Sequence, residues 1–423
     1  MVPYLLVFAA SAGVSFVTTP LVRLLSRRLS WIDQPSDRKV HPKPTPTVGG
    51  LAIFAGVVAG LGVSRLIPFL ADLHAATSDP ETALLAGLVI VVVGLVDDTR
   101  GLSALGKLAG QVLAAGVLVL LGVQLLYFYF PGQGILVLSP DLAVPLTVLW
   151  TVGMVNAVNL VDGLDGLAAG MVAIGAIAFF LYMYRTPGGG VDPSTAALLS
   201  AVVAGAALGF LPWNFHPARI FMGDTGSGLL GLMMAVATIS GVGRNEGPSG
   251  GDFAAVAIPI AVPLIVLAVP LLDVLLAIIR RMRRGLGIHH ADKEHIHHRL
   301  LDIGHSHRQA VLLMYLWSAL ISGCALAVAF INGRLLVSAI VVVAVLVAAV
   351  LPRLIRDRAP RGSDVRSGRA TSGDGRTAAV SVVSAAAGTP APATPVALAG
   401  APGEDSGPAA PPLGESAQEG AQG

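Results

Sequence analysis

The sequence predicts an all-α polytopic membrane protein of about eleven transmembrane helices. Hydrophobic residues make up 54% of its 423 residues and charged residues only 12%, about half the charged fraction of soluble proteins. Apolar runs of roughly 20 residues, the length that crosses a bilayer, recur along most of the chain. We place the spans at residues 2–24, 48–70, 82–96, 108–130, 142–160, 166–184, 195–211, 228–243, 254–279, 311–331 and 334–352.

Positive charges are distributed unevenly between the two sides that these spans define. Of the 27 lysines and arginines, only Arg65, Arg185, Arg244 and Arg334 fall on the side of the connections that follow even-numbered spans. Because cytoplasmic loops are enriched in Lys and Arg, the connections after odd-numbered spans are predicted to be cytoplasmic. The N-terminus is then external and the C-terminus cytoplasmic. The first apolar run lacks a basic n-region, which favours a retained anchor over a cleaved signal peptide.

Composition divides the chain into two regions. Residues 1–355 contain the spans and the polar motifs and are predicted to form one membrane-embedded catalytic domain. Residues 356–423 are rich in Ala, Pro, Gly and Ser. Such a segment buries too little apolar surface to offset its ordering entropy, so a disordered cytoplasmic tail is predicted. The single cysteine, Cys324, excludes a framework of disulfides within the chain.

The polar motifs of the chain all fall on the predicted cytoplasmic side, whereas the external connections are turn sequences rich in Gly, Pro and Ser. A transporter places its polar groups near the middle of the membrane, often on broken helices. In this chain the polar motifs lie together at one membrane surface, which favours an enzyme. It would act on one cytoplasmic and one membrane-embedded substrate.

Two adjacent carboxylates, Asp97 and Asp98, end the third span in GLVDDTRGLSALGK, and Lys107 follows in the same connection. Neighbouring carboxylates repel each other unless a cation or a shared proton relieves the repulsion. Hard oxygen ligands suit Mg²⁺, which binds through one or two carboxylates together with substrate phosphates. Two solvated acids at a helix end explain the pair equally well when it is taken alone.

Four polar residues recur at every third position of NAVNLVDGLDGLAAG. Asn156, Asn159, Asp162 and Asp165 therefore lie along one stripe of a helix. Amides and carboxylates supply paired donors and acceptors, which suit a nucleotide base or sugar hydroxyls. A polar helix end with glycine caps is the alternative.

The segment WNFHPARIFMGDTGSG places Asp224 among glycines just before a span. Asp224 is a candidate metal ligand, and the helix N-terminus with the hydroxyls of Thr225 and Ser227 is a candidate phosphate site. In RKVHPKPTPTVGG, the basic residue Lys43 is suited to an anionic lipid head or a nucleotide phosphate. Ordinary positive-inside anchoring is the alternative for the basic segment.

Histidines are concentrated in HHADKEHIHHRLLDIGHSHRQA. This segment offers side-chain donors to a diphosphate, namely His295, His297, His298 and Arg299. A Zn²⁺ site is a weaker alternative, because no cysteine accompanies the histidines. The remaining four, His289, His290, His305 and His307, are predicted to be solvated loop residues.

Taken in this order, PTPTVGG, DDTRGLSALGK, NAVNLVDGLDGLA, FMGDTGSG and ADKEHIHHRL resemble the polyprenyl-phosphate N-acetylhexosamine-1-phosphate transferases, the MraY/WecA/TagO family. The resemblance covers roughly residues 30–310. It implies eleven spans in a bacterial plasma membrane and an active site at the cytoplasmic face. HIHHR, in place of three adjacent histidines, is similar to the WecA/TagO branch.

The resemblance implies transfer of N-acetylglucosamine-1-phosphate from UDP-GlcNAc to undecaprenyl or decaprenyl phosphate, with release of UMP. This reaction would start a lipid-linked cell-wall or surface glycopolymer. The alternatives are phospho-N-acetylmuramoyl-pentapeptide transfer within the family and, in another class, a transporter or flippase. The implied partners are the two substrates and the lipid bilayer, with no nucleic acid, and a homodimer is left open.

The resemblance also assigns roles to residues. Asp97, Asp98 and Asp224 are the implied catalytic carboxylates, and Asp98 and Asp224 are the implied ligands of Mg²⁺, with Mn²⁺ as an alternative cofactor. The implied substrate-binding residues are Lys43, Lys107, Asn156, Asn159, Asp162, Asp165, His295, His297, His298 and Arg299. Both direct displacement and an aspartyl-phosphate intermediate fit the sequence, and we favour direct displacement.

Overall fold

The structure is a computed structural model that describes residues 1–34, 43–130, 134–185, 193–243 and 306–330. Helices dominate these residues. They are α1 (Val2–Arg28), α2 (Gly50–Leu66), α3 (Pro68–Ala76), α4 (Asp79–Arg100), α5 (Ala104–Leu120), α6 (Pro140–Val161), α7 (Leu167–Arg185), α8 (Thr195–Asn214), α9 (Gly223–Thr238) and α10 (His307–Phe330). Two short antiparallel hairpins pair β1 (Ile32–Asp33) with β2 (Thr45–Pro46) and β3 (Tyr127–Phe130) with β4 (Gly134–Val137).

The predicted all-α membrane fold is confirmed in its coarse form. Within the described residues, six helices are long and apolar enough to cross a membrane, or seven if the bent pair α2 and α3 is one span. The predicted spans at 254–279 and 334–352 lie outside the described residues, as does the tail. Eleven spans therefore stay a prediction.

Three predicted spans differ from the helices observed. The span at 228–243 coincides only in part with α9, which ends at Thr238 and is followed by a π-helical turn at Ile239–Gly243. The span at 48–70 is broken by a bend of 102° between α2 and α3, where Pro68 begins the new helix. The span at 108–130 was wrong at its C-terminal end, because α5 ends at Leu120 and the chain enters a hairpin at Tyr127. Gly122 adopts a φ of +87° just after α5, a conformation that stops a helix, and the aromatic YFYF segment favours a strand.

Small residues set the packing on one side of the molecule. The helices α1, α2 and α8 approach closely, since a Cβ at Gly56 or Gly205 would meet backbone atoms of α1. Ser15 donates from α1 to the carbonyl oxygen of Ala206 at 2.9 Å. Close approach through small residues and interhelical hydrogen bonds is typical of helices packed in a membrane.

Helix α9 is buried from Thr225 to Thr238 and packs against α2, α4, α6 and α8. A Cβ at Gly94 of α4 would meet the backbone of Thr225, so α4 can pass the first turn of α9 only where it has no side chain. This packing brings the last turns of α4 and α6 and the first turn of α5 around the N-terminus of α9. The polar residues of three separate sequence motifs meet there.

Candidate active site

Three carboxylates meet where α4 ends and α9 begins. Asp97 and Asp98 lie in the last turn of α4, and Asp224 is the second residue of α9. Each of them offers one oxygen, and these three oxygens lie within 4.8 Å of one another. Negative charges this close need a compensating cation, hydrogen bonds or a proton.

Asp98 is bound to the first turn of α9. Its Oδ1 accepts the backbone N–H of Asp224 at 2.8 Å, and its Oδ2 accepts the backbone N–H and the hydroxyl of Thr225 at 3.1 and 2.6 Å. Gly223 has a φ of +70°, and a Cβ there would meet the Asp98 carboxylate. Asp98 therefore satisfies the free N–H groups of the helix N-terminus, where a negative charge is stabilised.

Lys107 joins the other two carboxylates. Its Nζ lies 2.6 Å from Oδ2 of Asp97 and 2.7 Å from Oδ2 of Asp224. The second oxygen of Asp97 accepts the backbone N–H of Leu102 at 2.7 Å, which turns the chain from α4 into α5. One ammonium group thus occupies the position between two carboxylate oxygens at which a cation is required.

Asn159 connects α6 to the same cluster. Its Nδ2 donates to Oδ1 of Asp224 at 2.8 Å and to the hydroxyl oxygen of Ser227 at 3.0 Å. The Ser227 hydroxyl in turn donates to the carbonyl oxygen of Gly223 at 3.1 Å. Both oxygens of each of the three carboxylates therefore accept a hydrogen bond or contact the Lys107 ammonium.

Asp162 follows the last residue of α6 and has no hydrogen-bond partner for its carboxylate among the described residues. Although part of the side chain reaches the surface, burial among the helix ends raises the pKa of Asp162 to about 8. The negative charges of Asp224, Asp98 and Asp165 act in the same direction. Asp162 therefore carries a proton at neutral pH when no cation or ligand is bound nearby.

The remaining residues of the NAVNLVDGLDG motif point to different neighbours. Asn156 donates to Oε1 of Gln111 on α5 at 2.6 Å and is exposed. Oδ2 of Asp165 lies 2.7 Å from Nδ1 of His216 and accepts the backbone N–H of Ala218 at 3.0 Å. The motif was expected to form one continuous polar stripe. Instead, Asn156 contacts α5, Asn159 and Asp162 lie beside the carboxylates, and Asp165 contacts His216.

A small cleft, open to the surface, lies beside the carboxylates. Asp97, Lys107 and Asp224 line it at the helix ends, and the apolar side chains of Ile90, Val93 and Val155 line it one to two turns farther into α4 and α6. Asn159 and Gln111 also line the cleft. A ligand with a charged head and an apolar chain matches this division.

The donor set fits a hard divalent cation. It consists only of carboxylate oxygens, the ligands that Mg²⁺ takes together with waters and substrate phosphates. The ammonium of Lys107 already shows where positive charge is stabilised. The Lys107 ammonium lies between the carboxylates of Asp97 and Asp224, so these two carboxylates face the position that suits a cation. Both oxygens of Asp98 instead accept hydrogen bonds from α9.

The structure brings together five of the residues singled out by sequence, namely Asp97, Asp98, Lys107, Asn159 and Asp224. Lys43 is described but lies outside this hydrogen-bond network, and His295, His297, His298 and Arg299 lie outside the described residues. The hydroxyls of Thr225 and Ser227, expected to face a phosphate, are instead bonded to Asp98 and Gly223. The roles assigned to all these residues stay predictions.

Sequence reasoning missed Gln111, His216 and His307. Gln111 lies one turn beyond Lys107 on the same face of α5, a spacing that could have indicated it. His307 was expected to be a solvated loop residue, which is wrong, because it begins α10 and its ring stacks on His216 with centroids 4.1 Å apart. No local pattern predicts that contact, since 91 residues separate the two.

Residues 82–242 match the family model described as glycosyl transferase family 4, and this segment contains both carboxylate motifs and Lys107. A decaprenyl-phosphate N-acetylglucosaminephosphotransferase of Mycobacterium tuberculosis is 44% identical over 348 residues, which cover 80% of this chain and 86% of that protein. The chain belongs to glycosyl transferase family 4.

Further relatives indicate the branch of glycosyl transferase family 4. A probable undecaprenyl-phosphate N-acetylglucosaminyl 1-phosphate transferase of Bacillus subtilis is 40% identical over 317 residues, 75% of this chain and 82% of that protein. A phospho-N-acetylmuramoyl-pentapeptide-transferase of Mycobacterium avium is 36% identical over 281 residues, 57% of this chain and 77% of that protein. The more extensive similarity to the N-acetylglucosamine-phosphate group confirms the predicted branch.

Proposed function

We propose that this chain transfers N-acetylglucosamine-1-phosphate from UDP-GlcNAc to a polyprenyl phosphate and releases UMP. The observation that carries the proposal is the cluster of Asp97, Asp224 and Lys107 at the charged end of a cleft whose other end is apolar. The names and the similarity of the family 4 relatives support the substrates. The lower coverage of the pentapeptide transferases makes N-acetylmuramoyl-pentapeptide the less favoured donor.

The acceptor would enter the cleft from its apolar end. Ile90, Val93 and Val155 offer a surface to a prenyl chain, and Lys107 offers its ammonium to the terminal phosphate. The Lys107 side chain is 39% exposed, so it can contact a substrate without first leaving a buried position. Membrane helices that enclose such a cleft let a lipid acceptor reach the site from the bilayer.

A divalent cation, Mg²⁺ or alternatively Mn²⁺, would be held by Asp224 and Asp97, with Asp98 fixing the helix end that carries Asp224. Such an ion supplies charge neutralisation on the diphosphate of the donor as UMP departs. Asn159 keeps the Asp224 carboxylate oriented through the 2.8 Å hydrogen bond to Oδ1. The motifs predict catalytic roles for the three carboxylates, and their hydrogen bonds support roles in positioning and cation binding.

Chemically, an oxygen of the polyprenyl phosphate attacks the β-phosphorus of UDP-GlcNAc. A new P–O–P bond forms, the bond between the β-phosphorus and the bridging oxygen breaks, and UMP leaves with that oxygen. A phosphate monoester has a second pKa of about 6, so the attacking group is mostly a dianion at pH 7 and requires no strong base. The contribution of the protein is therefore to align the two phosphates and to balance their charge.

Direct displacement fits the site better than an aspartyl-phosphate intermediate. A nucleophilic carboxylate needs an oxygen that is free to reach phosphorus. Asp98 uses both oxygens as acceptors for α9, and Asp97 and Asp224 each use one for a hydrogen bond and one for Lys107.

The nucleoside would lie beside the turn between α6 and α7. Asp162 supplies a carboxyl group next to the cluster, and the exposed Asn156 supplies an amide. The prediction that His295, His297, His298 and Arg299 bind the diphosphate is retained for the same reaction. We place this face on the cytoplasmic side of the plasma membrane, since the positive charge of the connections favours it.

Membrane vesicles that contain the protein provide the test. With UDP-GlcNAc, polyprenyl phosphate and Mg²⁺, they should release UMP, and EDTA should stop the release. Asp98→Asn and Asp224→Asn should each lower turnover by about 10²–10³-fold, because Asp98→Asn disturbs the helix end that carries Asp224 and Asp224→Asn removes a charge that holds the cation. The matched control is Asp72→Asn, at an exposed aspartate of α3, which should keep wild-type turnover.

Full turnover in EDTA would contradict the cation assignment. Unchanged turnover of Asp224→Asn would contradict the assignment of the cluster. A transporter or flippase, the alternative class, would bind or move its cargo without releasing UMP.

A further inference from the structure

Helix α1 ends beside the segment that follows α8. A Cβ at Gly205 of α8 would meet the carbonyl oxygen of Phe8 on α1. Farther along both helices, Nε1 of Trp213 donates to the carbonyl oxygen of Phe16 at 3.1 Å. Because these contacts occur in the same order along α1 and α8, the two helices run parallel. The last turns of α1 therefore lie next to the residues that follow Asn214, where α8 ends.

Three arginines come together at this place. Arg23 and Arg27 are one turn apart on α1, on the helix face that also carries Phe16. Arg219 follows α8, and its Cζ lies 5.5 Å from the centroid of the Trp213 ring. The charges of Arg27 and Arg219 both act on Arg23. These three residues, called the arginine cluster below, bring three positive charges from two separate parts of the chain to one surface.

The described residues supply no counter-charge to the arginine cluster. Their ion pairs all involve other basic groups, and Nε of Arg23 is shielded from solvent without a hydrogen-bond partner in this part of the chain. Like charges one turn apart destabilise a helix. The dipole of α1 offsets this repulsion for Arg27 in the last turn, but it does not account for Arg219, which lies outside α1. An anionic ligand would supply the counter-charge.

The surroundings of the arginine cluster identify the class of anion. Phe16 is 45% exposed, and its ring lies 5.5 Å from the ring of Trp213 between centroids. Tryptophan side chains of membrane proteins are concentrated at the level of the lipid headgroups. An apolar surface at this level, bordered by guanidinium groups, matches a molecule that has both an acyl chain and a phosphate. Guanidinium groups bind phosphate oxygens through paired hydrogen bonds, and basic pockets between membrane helices bind lipid headgroups.

We propose that Arg23, Arg27 and Arg219 bind the phosphate of one anionic phospholipid, whose acyl chain covers Phe16 and Trp213. The site is separate from the cleft, because none of these residues lines it. The bound lipid would connect the end of α1 to the segment that leads into α9.

Lipid binding can be counted on the purified full chain by native mass spectrometry in a neutral detergent. Phosphatidylglycerol is the anionic probe, and phosphatidylcholine is the zwitterionic comparison. Wild type should retain one molecule of phosphatidylglycerol in preference to phosphatidylcholine. Arg27→Gln and Arg219→Gln should each weaken this retention by about tenfold, because each removes a charge-assisted hydrogen bond to the phosphate. Transfer activity is not measured, so failure of the proposed function would leave the test intact.

The matched control is Arg28→Gln. Arg28 is the next residue of α1 after Arg27 and is also exposed, so its replacement changes the net charge equally. One residue along an α-helix turns the side chain by about 100°, which places Arg28 on another face. At 0.15 M salt, screening weakens attraction between exposed charges, so Arg28→Gln should change retention by less than about twofold. Melting curves without added lipid should be the same for Arg27→Gln, Arg28→Gln and wild type, which separates lost binding from misfolding.

Three results would overturn the proposal. Equal losses for Arg27→Gln and Arg28→Gln would show that the lipid responds only to the net positive charge of this end of α1. Equal retention of phosphatidylglycerol and phosphatidylcholine by wild type would show that the headgroup charge is not recognised. Displacement of phosphatidylglycerol by inorganic phosphate, or by an equal amount of polyprenyl phosphate, would assign the arginine cluster to a free anion or to the acceptor.

Discussion

Asp98 and Asp224 carry the same functional group but are held by different partners, and this difference defines their roles. Asp98 accepts three hydrogen bonds from the first turn of α9. Asp224 accepts one from Asn159 and contacts the ammonium of Lys107. Loss of Asp98 would therefore displace a helix end, whereas loss of Asp224 would remove a charge that faces the cleft.

Asp162 should make stability depend on pH. Its pKa is about 8 in the folded chain and has an ordinary value of 3.8. Between these values the folded chain retains a proton that the unfolded chain has released. The free energy of unfolding therefore falls as pH rises from about 4 to about 8. The Asp162→Asn variant has no carboxyl group at this position and does not lose stability in this way as pH rises. Its melting temperature in EDTA should therefore exceed that of wild type by an amount that grows from pH 5 to pH 8.

Melting curves of wild type and Asp162→Asn at several pH values measure the difference, and Asp72→Asn is the control. Saturating Mg²⁺ should reduce the difference, since positive charge beside Asp162 favours its ionised form. A difference that is constant between pH 5 and pH 8 would show that the carboxyl group of Asp162 titrates in its ordinary range.

At the residue scale the sequence predicted which side chains form the candidate site, but it did not predict which residues those side chains contact. Asp97, Asp98 and Asp224 were recognisable because charged residues are rare in this chain and occur in glycine-containing motifs. The contacts of Asn159 with Asp224, and of His216 with His307, depend on helices that are far apart in sequence. A spacing of three residues also predicted that the polar residues from Asn156 to Asp165 lie on one face of a single helix. Because α6 ends at Val161, Asp162 and Asp165 lie outside that helix.

At the scale of elements, the N-terminus of α9 determines the geometry of the site. Gly223 begins this helix with a φ of +70° and leaves no room for a Cβ beside Asp98. Gly223→Ala should cost about 1–2 kcal/mol in backbone strain alone and should displace the Asp98 carboxylate as well. We expect both a lower melting temperature and a large loss of turnover.

The control for this substitution is Gly153→Ala. Gly153 lies within α6, and a Cβ there would meet no atom within 4 Å. Alanine in a helix interior is better by roughly 0.5–1 kcal/mol, so this variant should be as stable as wild type or more stable. Equal turnover and melting temperature for Gly223→Ala and Gly153→Ala would contradict the role given to the start of α9.

Most helices were predictable from apolar length, and the exceptions have physical reasons. Hydropathy does not distinguish a long apolar helix from an apolar helix followed by a strand, which is why the predicted span at 108–130 extended beyond α5. It also does not register a bend, so Pro68 within an apolar run was assigned to one straight span. The order of helices around α9 depends on small residues such as Gly94, whose effect appears only in three dimensions.

At the scale of the whole molecule, sidedness is open to a direct test. In a Cys324→Ser background, cysteines introduced one at a time at two exposed positions, Ala75 and Ala104, report the two sides of the membrane. The distribution of Lys and Arg predicts that intact cells react with a membrane-impermeant maleimide at position 75 but not at position 104. Permeabilised cells should react at both positions. The opposite labelling pattern would place the carboxylate cluster outside the cell.

The proposed reaction is tested most directly by following the β-phosphate of the donor. UDP-GlcNAc labelled with radioactive phosphorus at the β position and with tritium in the sugar would be supplied to the purified protein with polyprenyl phosphate and Mg²⁺. We expect both labels in the lipid product in equal amounts, together with unlabelled UMP in water. Sugar label in the lipid with β-labelled UDP in water, or unchanged donor with no UMP, would contradict transfer of N-acetylglucosamine-1-phosphate by this chain.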